Sequence, residues 1–170
     1  NSKVAFMQDR VQGIIDTIAE KCPNSTLAYE PPKIVLAEAV ETFSNMLTDC
    51  PDVQVVCTGY STCATNIIAE WLPEIQRKGG DLSKYGVFTC DCTNLDLEYM
   101  AQTVKGENIL RSTVDLGLKE LVPMGMITQC EAAIRGLDCE YAEGEVVTFP
   151  HDLVDLTNYE ETAAKYNVEI

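Results

Sequence analysis

At 170 residues, 46% hydrophobic and 23% charged, the chain can build one well-cored domain and is too short for two of ordinary size. Its net charge of −15 is spread along the sequence, and so acidic a surface repels a phosphate backbone, which argues against nucleic acid as a partner. No apolar run approaches the ~20 residues of a membrane span, and no signal peptide opens the sequence, so any export signal is expected to have been removed or to lie outside it.

In chain order, a strand-like run at 3–8 leads into a helix with Val11, Ile14, Ile15, Ile18, Ala19 and Cys22 on one face, ended by Pro23-Asn24. A second strand is expected at 25–30, and a second helix carries Leu36, Val40, Phe43 and Leu47. After a strand at 53–58 comes the clearest helix, with Ala64, Ile67, Ile68, Trp71, Leu72 and Ile75, closed by Gly79-Gly80. A strand at 85–90 precedes a helix that starts at an Asn94 cap, carries Leu97, Met100, Ala101 and Val104, and stops at Gly106. A strand at 108–114 precedes a fifth helix from about Glu120 to Gly136, with Pro123 near its first turn, and a last strand falls at 145–149. From Pro150 the alternation stops, and a short polar helix follows Asn158.

Strands such as Val53-Gln54-Val55-Val56-Cys57 are apolar on both sides, which suits a parallel sheet covered by helices on both faces. Regular βαβ alternation with right-handed crossovers predicts an α/β fold with a doubly wound parallel sheet of five or six strands. Such sheets take ligands at the carboxyl ends of their strands. The residues to inspect are therefore Asp9 and Arg10, Glu30 to Lys33, Gly59 to Thr62, Asp91 to Asn94, and Asp115 to Leu118.

No G-x-G-x-x-G, Walker or G-x-S-x-G pattern occurs, and His151, the single histidine, lies outside this set. No catalytic residue, cofactor or metal site is expected, and the chain reads as a binding module. Asp91 and Asp115 could pair as acid and base, but carboxylates at such edges also accept hydrogen bonds from hydroxyl groups. Trp71 reads as core, whereas Arg10 could be a solvated charge or a clamp, and Tyr60 could pack locally or stack on a ring. The eight cysteines contain no C-x-x-C pair. Buried thiols are the leading reading, one or more disulfides the second, and a metal site comes last. Cys57 and Cys90 are expected near the ends of neighbouring strands and mainly buried.

Four segments in order carry a resemblance. Arg10-Val11-Gln12-Gly13-Ile14 resembles an R-x-x-G-F helix start, and Pro51-Asp52-Val53-Gln54-Val55-Val56 resembles a P-D-[IV]-x-A-[IV] passage into a strand. Val87-Phe88-Thr89-Cys90-Asp91-Cys92-Thr93 is similar to V-V-G-F-D-G-T, and Leu153-Val154-Asp155-Leu156-Thr157-Asn158-Tyr159 to a closing "lVtxeNvdey" segment. Together they look like the C-terminal lobe of a ribose- or galactose-type periplasmic binding protein of type 1, the sugar-binding protein of an ABC transporter.

The resemblance implies an extracytoplasmic receptor, in the periplasm or as a cell-surface lipoprotein. Its partners would be a monosaccharide or similar polyol, an ABC permease, and an N-terminal lobe that this chain lacks. Residues 1–149 would form the ligand-binding lobe and 150–170 a tail returning to the hinge. Arg10 matches the sugar-binding arginine and Asp91 the aspartate of the D-G turn. Asp115 falls where a polar residue follows the next strand, and Tyr60 where an Asn-Asp turn usually stands. The sequence departs from the pattern at Gly59-Tyr60-Ser61-Thr62, at Cys90 and Cys92, and between Gln8 and Asp9, where a usual loop is absent. The alternative is the effector-binding domain of a lactose-repressor-like regulator, which shares the fold and whose cytoplasmic setting suits eight thiols better.

Overall fold

The computed structural model describes residues 5–28, 39–135 and 151–170. Helix α1 spans Ala5–Lys21, so residues 5–8, expected as strand, are helical. Met7, Val11, Ile14 and Ile18 continue one 3.6-residue period through them, and nothing breaks it. Residues 25–28 form no strand. The rest of that expected run, and the whole of the run at 145–149, lie outside the described residues.

Helix α2 covers Ala39–Asp49, β1 Val55–Cys57, α3 Ser61–Arg77, β2 Gly86–Phe88 and α4 Asn94–Val104. Then follow β3 at Leu110–Asp115, α5 at Leu118–Arg135, β4 at Asp152–Asp155 and α6 at Tyr159–Tyr166. The strands stand in the order β1-β2-β3-β4. The first three are parallel, joined through α3 and α4, and β4 runs antiparallel to β3. This is a mixed α/β fold with a mostly parallel sheet flanked by helices. It has four strands among the described residues instead of the five or six expected.

Strand β4 corrects the sequence reading, which saw no strand after Pro150. Leu153-Val154 is too short an apolar pair to register, yet it completes the ladder, pairing Thr113 with Val154 and Asp115 with Asp152. Helix α6 follows Asn158, whose side chain accepts from the Asp155 amide at 2.8 Å and donates to Leu153 O at 2.9 Å.

The core lies on one face of the sheet. Val56, Val87, Thr113 and Val154 point into it and are buried. The α3 stripe of Cys63, Ala64, Ile67, Ile68, Trp71 and Ile75 meets them, with Leu97, Met100 and Ala101 from α4. Trp71 stands edge-on to Phe43 and Tyr85, with ring centroids at 5.6 and 5.5 Å. Each such side chain contributes about 1.5–3 kcal/mol by leaving water. The turn after α3 needs both its glycines. Gly79 sits at φ +69°, and a Cβ on Gly80 would stand 2.7 Å from Ile75 Cγ2.

On the opposite face Val55, Phe88 and Leu153 stay exposed. The expected burial of both faces is therefore not seen among the described residues. Cys57 shares this face and is exposed, and Cys90 is half-buried. That corrects the expectation that both are mainly buried. The seven described cysteines are all unpaired, and Cys139 lies outside the described residues.

Candidate functional site

Parallel strands deliver their carboxyl ends to one edge. Gly59 and Tyr60 follow β1, Asp91 follows β2, and Asp115 ends β3. The ladder runs on past β2, because the Thr58 amide donates to Phe88 O and the Asp91 amide to Val114 O. Four residues singled out in the sequence therefore stand at or beside this edge, since α1 brings Arg10 to it.

Arg10 Nη1 donates to Gly59 O at 2.8 Å and to Asp91 Oδ1 at 3.1 Å. Both side chains of the pair are 25% exposed, so the pair is sheltered but reachable. It offers guanidinium donors beside carboxylate acceptors, the two halves that a vicinal diol needs. Tyr60, in extended backbone at the start of α3, is half-buried and packs against the core. Burial, and then the Cys63 thiol, push its hydroxyl above the ordinary tyrosine value.

The Asp91 turn is strained. Asp91 has φ +94° and Cys92 φ +46°, where side chains other than glycine fit poorly, at about 1–3 kcal/mol each. The surroundings hold it. The Cys92 amide donates to Thr113 Oγ1 at 3.1 Å, and Thr93 caps α4 in a reciprocal box with Asp96. The cap is thus Thr93 and not the expected Asn94. The spacing Thr93-x-x-Asp96 was a visible signal for it, the Asp counterpart of S/T-x-x-E.

Asp115 behaves differently from Arg10 and Asp91. Its Oδ1 accepts from the Gly117 amide at 2.9 Å, and its Oδ2 accepts from the Tyr166 hydroxyl and from Lys165 Nζ at 3.5 Å. Burial pushes its carboxyl up, but these donors outweigh burial and hold it below the ordinary value. Burial and the bond to Asp115 push the Tyr166 hydroxyl up to about 12. The carboxylate therefore anchors the C-terminal helix. Sequence reasoning missed Tyr166 and Lys165 because they lie 51 and 50 residues from Asp115. Beside this anchor, Asp115, Asp152, Asn158, Glu161, Thr162 and Lys165 line a cavity of about 380 Å³.

Among the described residues no three His, Cys, Asp or Glu side chains converge as metal ligands, and no helix is long and apolar enough to cross a membrane.

No protein-family model and no curated protein matches the chain. Solved structures do. The 5-methylthioribose transporter solute binding protein from Thermotoga lettingae, in complex with 5-methylthioribose, matches 92% of this chain and 45% of its own. The TM-score is 0.61, at 13% sequence identity. The chain shares its fold with part of that solute binding protein. A crystal structure from Mycobacterium smegmatis matches at TM-score 0.59 and 17% identity, over 98% of this chain and 52% of its own. This chain spans about half the length of both structures it matches.

Proposed function

We propose that this chain is one lobe of an extracytoplasmic solute receptor, one that binds a monosaccharide or similar polyol and delivers it to an ABC transporter permease. The observation that carries this reading is the Arg10–Asp91 pair at the carboxyl edge of the parallel sheet, within hydrogen-bond reach of Gly59 O. Arg10 would donate to ring or hydroxyl oxygens while Asp91 accepts from adjacent hydroxyls. Tyr60 would offer an apolar surface to one sugar face. The likeness to a solute-binding protein crystallised with 5-methylthioribose supports the solute class.

Such a site works through burial between two lobes. Small-ligand sites cover roughly 70–90% of the ligand surface, and one lobe alone leaves a face of the sugar in water. Hydrogen bonds that compete with solvent are worth only ~0.5–1.5 kcal/mol each. A second lobe closing over the edge would therefore raise affinity by orders of magnitude. In this reading no bond is made or broken in the ligand.

Calorimetry on the full-length protein with D-ribose, D-galactose and 5-methylthioribose tests the proposal. Micromolar binding of one of them by the full-length protein, and none by residues 1–170 alone, is the expected result. Absence of binding to all three and to a wider panel of polyols would overturn the solute class.

A further inference from the structure

The carboxylate of Asp96 belongs to α4, yet it reaches both loops of the candidate site. It is buried at 0% exposure. Its Oδ1 accepts from Ser61 Oγ at 2.8 Å, and its Oδ2 accepts from the Thr93 amide at 2.7 Å and Thr93 Oγ1 at 3.0 Å. Ser61 Oγ and Thr93 Oγ1 are themselves 3.0 Å apart. Ser61 is the first residue of α3, directly after Gly59 and Tyr60, while Thr93 directly follows the left-handed pair Asp91 and Cys92. An ordinary capping box needs only the Thr93 contacts. The bond to Ser61 is additional and ties the starts of two helices to one carboxyl group.

We infer that Asp96 is a positioning residue for the candidate site, fixing the Gly59–Tyr60 loop against the Asp91 turn and so setting the geometry that the ligand meets. Two features make this more than helix capping. The Asp91–Cys92 turn sits in backbone that needs outside support to persist, and one end of it is the Thr93 amide that Asp96 grips. The Gly59 carbonyl, which Arg10 engages, lies two residues from Ser61. Displacing Asp96 thus loosens both partners of Arg10 together. Its burial, the largest influence on its carboxyl, raises it, and the Thr93 and Ser61 donors oppose that rise. Those donors supply the hydrogen-bond partners that a buried carboxyl group needs.

The consequence for affinity rests on the solute-binding reading; the consequence for the turn does not. Residue-resolved hydrogen exchange by NMR on the full-length protein separates them. In Asp96→Asn the amides of Asp91 and Cys92 are expected to exchange at least about tenfold faster, while that of Val87, bonded to Ile109 O within the sheet, changes less than about twofold. Ser61→Ala, which keeps the capping box, is expected to act on the same amides more weakly, and it decides the matter if Asp96→Asn does not fold. Acceleration of Val87 in step with Asp91 and Cys92 would reduce Asp96 to a general stabiliser, and unchanged Asp91 and Cys92 exchange would overturn the inference outright. Where D-ribose or 5-methylthioribose binds, Asp96→Asn is expected to weaken it at least about tenfold, and equal affinity would also overturn the inference. If neither sugar binds the wild type, exchange alone decides.

Discussion

Replacing Tyr166 with phenylalanine removes one hydroxyl. The ring remains, and with it the ammonium groups of Lys119 and Lys165, 4.1 and 4.8 Å from its centroid. What goes is the hydroxyl donated to the Asp115 carboxylate and, at 3.4 Å, to the exposed Glu120 Oε2; the Asp115 side chain is only 7% exposed and carries most of the effect. Its Oδ2 is left with Lys165 at 3.5 Å. A hydrogen bond to a charged group is worth about 1.5–3 kcal/mol. At about 2–4 °C per kcal/mol for a fold of this size, the melting temperature is expected to fall by about 3–12 °C at neutral pH.

The pH dependence has a definite sign. The Asp115 carboxyl is held below its ordinary value in the folded state. Its stabilisation is therefore complete above the ordinary carboxylate range near ~3.9 and is lost as pH falls through the lower folded value. Thermal melts by circular dichroism, from neutral pH downward, should show the gap between wild type and Tyr166→Phe closing in strong acid. A gap within about 1 °C at neutral pH, or one that widens in acid, would refute the assignment of Asp115 as the anchor of α6.

Three further outcomes are expected. In the full-length protein, Arg10→Ala and Asp91→Ala should each weaken sugar binding at least about tenfold by calorimetry; full affinity in both would mean that the site lies elsewhere. Trp71→Ala removes a 3%-exposed ring that meets Phe43 and Tyr85 and should cost about 3–5 kcal/mol in urea denaturation, so a loss below about 1 kcal/mol would contradict the packing described. Thiol titration under denaturing, non-reducing conditions should count all eight cysteines of the sequence, since the seven described are unpaired; a count of six would mean that one pair is bridged.

The α/β architecture was legible because long amphipathic periods are hard to mistake. The α3 stripe from Ala64 to Ile75 names its element and its buried side, whereas the apolar run at Val55-Val56 names a strand without telling which side is buried. The start of the chain misled because Val4, Phe6 and Met7 suit a strand as well as a helix, and only the continuing period decides. Strand β4 was illegible because the partner that defines it, β3, lies about 40 residues away. Arg10 and Asp91 were singled out from strand-end logic and resemblance, and the structure pairs them across 81 residues. Asp115 was singled out by the same logic, but nothing local reveals that Tyr166 and Lys165 fill its lone pairs.

The central claim is that a solute lands on the edge formed by Gly59, Tyr60 and Asp91 under Arg10. Titrating isotope-labelled full-length protein with the sugar it binds, and following backbone amides and the Arg10 side-chain resonances by NMR, tests that directly. The account predicts saturable shifts at Gly59, Tyr60, Asp91, Cys92 and the Arg10 guanidinium. Saturable shifts confined to other residues, with these five silent, would contradict it.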